Sequence, residues 1–202
     1  MSIVTIIGAG SWGTALAILL SSKGFQVAFW IRRKNLLEKM SSTRENSDYL
    51  PGVSLPENIK LTNNLEEAVR GKDLLVMAVP SHAIEDLIKK ISGFIEEGTI
   101  IVNAAKGLAE GSLKRLSQVI TEGLPNNLSC KIAVLSGPNH AEEVCRFIPA
   151  ATVVAAEEEN VAKAVQDIFM TSFFRVYTNT DIIGVELGGA LKNVIAIGAG
   201  AC

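Results

Sequence analysis

Two lysines stand out as residues that could do chemistry, because the sequence around each is otherwise apolar or small. Lys106 ends the stretch NAAK (103–106), directly after a β-branched run. Lys192 is nearly the only charge in the segment 181–202. A buried lysine has a lowered pKa and can exchange a proton near neutral pH. We predict acid–base or anion-binding roles for both, with an ion pair to Glu186 or to a carboxylate elsewhere as an equal alternative for Lys192.

Histidines and cysteines give weaker signals. His82 and His140 could act as general bases, but either could equally cap a helix or line a loop. The three cysteines, Cys130, Cys145 and Cys202, have spacings that fit neither a disulfide framework nor a metal site. We therefore expect reduced thiols and no metal.

Three glycines, Gly8, Gly10 and Gly13, form the pattern G-x-G-x-x-G between an apolar run and an Ala/Leu-rich helix. In that context the glycines permit a tight turn, close approach of a pyrophosphate and close helix–strand packing. A helix N-terminus near Ser11 would offer N–H groups to the phosphates. The pattern predicts a dinucleotide site.

The end of the second apolar run indicates which dinucleotide. An NAD site usually carries a carboxylate there, which binds the ribose 2′-OH. This sequence has Arg32 and Arg33 instead, and arginines favour a 2′-phosphate through charge-assisted hydrogen bonds. We predict a preference for NADP(H), while use of NAD(H) stays open.

Composition limits the class of protein. The chain has 202 residues, of which 48% are hydrophobic and 20% charged, with a formal net charge of -2. No basic block suggests nucleic-acid binding, and no uninterrupted apolar run reaches the roughly 18 residues of a membrane span. No secretory signal precedes the first strand, so we expect a cytoplasmic protein.

The periodicity predicts an α/β fold, a Rossmann-like doubly wound parallel sheet. Residues 43–59 have no clean period, and a loop of this length is usually functional or mobile. The predicted strands are 3–7, 26–31, 74–78, 99–103 and 132–135, with 151–156 and 174–177 extending the sheet. The predicted helices are 12–22, 35–40, 65–69, 84–91, 113–121 and 160–170.

The segment 181–202 reads as one helix with Asp181 as N-cap, apolar almost all round. Such a helix belongs inside a larger core. We expect residues 1–180 to form the cofactor domain and 181–202 to begin an all-helical domain, so that the sequence is the front part of a longer protein. In this chain alone, apolar surface would be exposed around residues 187–195.

Several motifs occur together and in order: GAGSWGTALA, N-x-x-YLPG (46–52), AVPSH (78–82), SGPNHAEEV (136–144) and VELGGALKNVIAI (185–197). With them the chain resembles the bacterial NAD(P)-dependent sn-glycerol-3-phosphate dehydrogenases from end to end. The resemblance implies interconversion of sn-glycerol 3-phosphate and dihydroxyacetone phosphate, which supplies phospholipid synthesis. It also implies a small-molecule substrate as the partner, and it leaves a homodimer open.

The resemblance also implies roles for individual residues. Lys192 would be the proton acceptor, and Lys106 would contact both cofactor and substrate. Further cofactor contacts are implied at Ser11, Trp12, Arg32 and Ala141, and further substrate contacts at Gly137, Asn139 and Asn193. Asn139 stands where many relatives carry Ser. An Asp and an Arg–Asn pair of the family's helical domain are not among the 202 residues, so this chain alone is expected to be inactive.

Two other functions stay open. The first is another two-domain NADP-dependent dehydrogenase acting on a 2-hydroxy acid or sugar phosphate. The second is a non-catalytic NADP(H)-binding module.

Overall fold

The computed structural model describes residues 3–201, which alternate between strands and helices along the chain. The strands are β1 (Ile3–Ile7), β2 (Gln26–Trp30), β3 (Ile59–Thr62), β4 (Leu74–Met77), β5 (Ile100–Asn103), β6 (Lys131–Ser136), β7 (Ala150–Ala156) and β8 (Phe174–Asn179). The helices are α1 (Ser11–Ser22), α2 (Lys34–Thr43), α3 (Leu65–Val69), α4 (Ile84–Ile91), α5 (Leu116–Gly123), α6 (Ala141–Cys145), α7 (Glu159–Phe169) and α8 (Ile182–Ala201). Short 3-10 turns cover Ser81–Ala83 and Ser92–Phe94.

Within the described residues, the strands form one sheet in the order β3-β2-β1-β4-β5-β6-β7-β8. The chain winds outward from β1 to β3 and then crosses back to β4, so β1 and β4 flank the topological switch point. Open α/β sheets bind ligands at the carboxyl ends of the strands beside such a point. The predicted Rossmann-like fold is confirmed.

The sheet is mostly, not entirely, parallel. β7 runs antiparallel to β6, and β8 runs parallel to β7. The connection between them, residues 137–149, contains only the five-residue helix α6, and the chain re-enters the sheet from the end at which β6 finishes. A parallel pairing would need a crossover that runs back along the sheet, which is usually a longer helix.

Apolar side chains fill both faces of the sheet, as expected for strands covered by helices on both sides. Val4 and Ile6 of β1 pack with α1 on one face. Ile7 of the same strand packs with α4 and α5 on the other face. Both faces of β1 are therefore buried inside the sheet, and its carboxyl end leads into the glycine loop.

The structure changes some predicted boundaries and adds elements. Helix α5 begins at Leu116, not at residue 113, because Leu113 has a left-handed backbone (φ 55°) inside a turn closed by the Leu108–Arg115 bridge. Strand β3 and helix α6 were not predicted. Both are five residues or shorter, which leaves too few positions for a period to show.

Helix α8 starts as predicted, since the Asp181 side chain accepts a hydrogen bond from the backbone N–H of Gly184 (2.8 Å). Ile182 is buried against β6 and β7, and Glu186 is buried against the start of α5. The other side of the helix is exposed, including Leu191 (50%) and Val194 (67%), which confirms the predicted apolar surface. By length and composition alone α8 could cross a membrane, a test that core helices of soluble proteins also pass.

Candidate functional site

The glycine loop forms a cradle at the carboxyl end of β1. Gly8 has φ +118°, and a Cβ there would lie 2.5 Å from the Ala78 carbonyl oxygen. A Cβ at Gly13 would lie 1.9 Å from the Gly8 carbonyl oxygen, so both positions require glycine. Gly10 has open space where its Cβ would be, and no side chain caps the first turn of α1. The cradle therefore fits a pyrophosphate on the helix N-terminus.

A groove of about 400 Å³ runs from this cradle to the end of β2. Its lining includes Gly8, Gly10, Arg32, Arg33 and Tyr49. Leucines of α2, α3 and α4 line the rest of the wall, together with the charged residues Asp86 and Lys90 of α4. A groove that joins a phosphate cradle to two guanidinium groups suits an adenosine carrying a second phosphate.

The two arginines differ in their contacts. Arg33 is paired with Asp48 (Nη2 to Oδ2, 2.8 Å) and stacks over the ring of Tyr49 at 5.5 Å. Arg32 is exposed, and within residues 3–201 it makes no hydrogen bond or ion pair. Of the two arginines, Arg32 is therefore the one whose guanidinium N–H groups are available to a ligand in the groove.

Loop 43–59 contributes Tyr49 to the groove and is tied to the glycine loop. Asn46 is fully buried and donates from Nδ2 to the Ala9 carbonyl (3.0 Å) and to Thr14 Oγ1 (2.7 Å). Thr14 in turn donates to the Gly10 carbonyl (2.8 Å). Sequence reasoning noted Asn46 only as part of a motif and missed this anchoring. The feature that could have indicated this anchor is an asparagine in a long aperiodic stretch rich in turn residues.

Lys106 lies at the carboxyl end of β5. Asn103, at the strand end, accepts from the Ala105 N–H (3.1 Å) and so shapes the turn that presents the lysine. The Lys106 ammonium donates to the Gly137 carbonyl (2.9 Å). Partial burial lowers the pKa of Lys106, and the positive charge of Lys192 lowers it further.

The motif that follows Lys106 meets the groove. Gly107 has φ +118°, and a Cβ there would lie 3.2 Å from Ser81 Oγ. Ser81 belongs to the same 3-10 turn as His82, which lines the groove. Lys106 therefore lies next to the dinucleotide groove, on the side of β5 and β6.

The end of β6 supplies two more predicted residues. Gly137 is tightly packed, since a Cβ would lie 2.7 Å from Asn139 Oδ1 and 2.9 Å from Thr152 Oγ1. Asn139 donates to the Ala151 carbonyl (2.7 Å), while its buried Oδ1 has no partner among the described residues. The Asn139 amide thus braces the loop that holds the Gly137 carbonyl toward Lys106.

Helix α8 brings Lys192 to this region. Its docking depends on Glu186, which accepts from the Ser117 N–H (2.9 Å), from the Ser117 hydroxyl and from Arg115 (3.0 Å). At Gly189 the helix approaches β6 so closely that a Cβ would lie 2.5 Å from Ser136 Oγ. Glu186 therefore has partners other than Lys192, and the two do not form an ion pair within the described residues.

Lys192 itself is half-buried and close enough to Lys106 for their charges to interact. Asn193 is exposed, and its side chain makes no hydrogen bond to any residue in the described range. The structure thus brings together Lys106, Gly137 and Lys192, and Asn193 follows Lys192 on the same helix.

The remaining predicted residues occupy different parts of the site. Ser11 and Trp12 begin α1 beside the cradle, and the buried indole Nε1 of Trp12 has no partner within residues 3–201. Ala141 is 6% exposed, so only its backbone could reach a ligand. His140 precedes α6 without capping it. Cys130 and Cys145 are free thiols, and Cys202 lies outside the described residues.

Comparison with known proteins agrees with this geometry. The family model described as NAD-dependent glycerol-3-phosphate dehydrogenase N-terminus matches residues 3–162, and the C-terminus model of the same family matches residues 181–202. A glycerol-3-phosphate dehydrogenase [NAD(P)+] of Moorella thermoacetica is 52% identical over 198 residues, which is 98% of this chain and 58% of that protein. One from Clostridium perfringens is 48% identical over 202 residues, or 100% of this chain and 60% of that protein.

Solved structures show the same relationship. The glycerol-3-phosphate dehydrogenase of Coxiella burnetii superposes with a TM-score of 0.90 at 36% identity, covering 97% of this chain and 59% of that one. This chain therefore spans a little under two thirds of the length of these relatives. Because the N-terminal family model matches most of its residues, the chain belongs to the NAD-dependent glycerol-3-phosphate dehydrogenase family.

Proposed function

We propose that the protein interconverts sn-glycerol 3-phosphate and dihydroxyacetone phosphate with NAD(P)(H). The observation that carries this proposal is the pair of lysines beside the dinucleotide groove. The Lys106 ammonium donates a hydrogen bond to the Gly137 carbonyl, and Lys192 is close enough to lower the pKa of Lys106. Two neighbouring ammonium groups repel each other, and an anionic ligand between them relieves that repulsion. A phosphorylated substrate supplies such an anion.

The residues fit a dinucleotide. Its pyrophosphate would lie on the Gly8–Gly13 cradle and the N–H groups of α1, near Ser11 and Trp12. Arg32 would contact a 2′-phosphate, which favours NADP(H), and NAD(H) would use the same groove. A bound nicotinamide supplies the hydride acceptor for the alcohol or the hydride donor for the ketone.

The protein's own residues would handle the proton and the anion. Lys192 would accept the hydroxyl proton at C2 of glycerol 3-phosphate and return it to the oxygen in the reverse direction. Lys106 would hold the substrate, helped by the loop of Gly137 and Asn139 and by Asn193. Residues 1–180 would form the cofactor domain and residues 181–202 the start of the substrate domain. Free thiols at Cys130 and Cys145 support the proposed cytoplasmic location.

The test is turnover of dihydroxyacetone phosphate by the complete gene product, followed through NADPH absorbance. Lys192→Ala should lower kcat by about 10²- to 10⁴-fold, the usual loss for a positioned acid–base group. NADPH affinity should stay nearly unchanged, because Lys192 lies away from the glycine cradle. Lys163→Ala, which removes an exposed lysine of α7, is the matched control.

Two results would contradict the proposal. Full activity in Lys192→Ala would assign the proton transfer elsewhere. Tight NADPH binding by the wild type without turnover of dihydroxyacetone phosphate would favour a binding module or another dehydrogenase.

A further inference from the structure

The end of β2 lacks the carboxylate of an NAD site, but a carboxylate reaches the same place from loop 43–59. Asp48 pairs through one oxygen with Arg33 (2.8 Å) and through the other with Lys39 of α2 (2.8 Å). Its side chain is 33% exposed, so the pairs are open to water and to ligands. One carboxylate thus occupies two cations at the edge of the groove.

The loop holds Asp48 in place relative to the cofactor cradle. Two residues earlier, Asn46 is buried and bonded to Ala9 and Thr14 of the glycine loop. One residue later, Tyr49 lines the groove with the Arg33 guanidinium over its ring. The position of Asp48 beside the arginines therefore follows from an anchored backbone, not from a chance encounter of surface side chains.

Asp48 is charged under ordinary conditions. Hydrogen bonds from Lys39 and from Arg33 lower the pKa of its carboxyl group. A negative charge here repels a 2′-phosphate and competes with it for Arg33. A ribose 2′-OH carries no charge, so it meets neither effect.

We propose that Asp48 is a specificity-determining residue that weakens NADPH binding relative to NADH by occupying Arg33 and Lys39. This inference rests on the proposed dinucleotide site. Arg32 attracts the 2′-phosphate, whereas Asp48 opposes it, and the balance of the two sets the cofactor preference. The chain thereby keeps NADH usable despite the arginines at the end of β2.

The experiment is equilibrium titration of the complete gene product with NADPH and NADH. Asp48→Asn keeps the side-chain shape and removes the charge. Because each exposed ion pair is worth up to about fivefold, we expect the Kd for NADPH to fall by about 3- to 20-fold. The Kd for NADH should change by less than about twofold, and the gain should shrink as salt is added.

Two fragments isolate the contribution of the 2′-phosphate. Adenosine 2′,5′-bisphosphate should bind Asp48→Asn more tightly than wild type, while 5′-AMP should bind both equally. Glu38→Gln is the control for net charge, because it removes an exposed carboxylate of α2 that does not line the groove. In an Arg33→Ala background the gain from Asp48→Asn should be smaller, because only the competition for Arg33 is removed there while the repulsion of the 2′-phosphate remains.

The outcomes separate this inference from the proposed function. If wild type binds both dinucleotides and Asp48→Asn leaves the ratio of their Kd values unchanged, the role of Asp48 is wrong and the dinucleotide site stands. An equal gain in Glu38→Gln would likewise reduce the effect to net charge and overturn the inference. If wild type binds neither dinucleotide, the proposed function fails and this inference fails with it.

Discussion

At the scale of single residues, two adjacent arginines have different environments. Arg33 is engaged by Asp48 and Tyr49, whereas Arg32 is exposed at the groove with its donors unengaged within residues 3–201. Arg32→Ala should therefore weaken NADPH binding by about 1.5–3 kcal/mol, the range for hydrogen bonds to charged groups. NADH binding should hardly change. Fluorescence titration with both cofactors measures this, and equal losses for the two would show that Arg32 does not meet a 2′-phosphate.

Lys106 predicts a pH dependence of substrate binding. Burial and the charge of Lys192 lower its pKa below the ordinary 10.5, so it loses its proton at a lower pH than a free lysine does. Only the protonated form attracts an anion. The KM for dihydroxyacetone phosphate should therefore rise with pH, starting below 10.5, as the ammonium is neutralised.

A substitution checks the origin of that pH dependence. Lys106→Arg carries a group that stays charged above pH 12, so the alkaline rise in KM should disappear even if KM itself is higher. Lys106→Ala should raise KM at every pH. An alkaline rise that persists in Lys106→Arg would assign the titration to another group.

At the scale of elements, the sequence predicted what local pattern determines. Continuous β-branched runs and the glycine loop located β1, β2, β4, β5 and β6, because central parallel strands are apolar at nearly every position. The antiparallel direction of β7 was not predictable from the pattern, since it depends on the path of the connection 137–149 in the folded chain. Parallel pairing was the reasonable default for alternating strands and helices.

The site shows the same division. Lys106, Lys192 and Arg32 stood out because charges are rare next to apolar runs. The contacts of Asn46 and Asp48 were not predictable, because they join an aperiodic loop to residues nine or more positions away. Pairing over that distance depends on the path of the folded loop, which the periodicity does not record.

Helix α8 predicts a large effect of Glu186 on stability. Glu186 is 6% exposed and holds α8 to the start of α5 through Arg115 and Ser117. Glu186→Ala would leave Arg115 and the Ser117 N–H without their partner, and breaking a buried pair costs about 3–5 kcal/mol. Because Arg115 is 20% exposed, we expect a value near the lower end.

Urea unfolding of the purified protein measures that loss. Glu159→Ala is the matched control, since Glu159 forms an exposed i,i+4 pair with Lys163, and exposed pairs contribute little to stability. Similar midpoints for Glu186→Ala and Glu159→Ala would mean that the cluster does not hold α8 in place.

At the scale of the whole molecule, one sheet joins the groove beside β1 and β4 to two lysines, Lys106 after β5 and Lys192 on α8. Helix α8 contributes one face to this arrangement and leaves the other uncovered. On the exposed side lie Leu187 (37%), Leu191 (50%), Val194 (67%) and Ile195 (65%). All four residues lie in the segment 181–202, which matches the C-terminus model of the family.

That exposed face predicts how a polypeptide consisting of residues 1–202 behaves. A contiguous apolar surface of this kind drives association, so the polypeptide should self-associate in sedimentation experiments and bind a hydrophobic dye. Leu191→Glu combined with Ile195→Glu should reduce both signals, because the two residues lie one turn apart on the same face. Leu113→Glu, at an apolar residue 72% exposed in a distant loop, should not.

The same polypeptide should bind NADPH through the groove yet show no turnover of dihydroxyacetone phosphate. A monomer that turns over this substrate would place the whole substrate site within β5, β6 and α8.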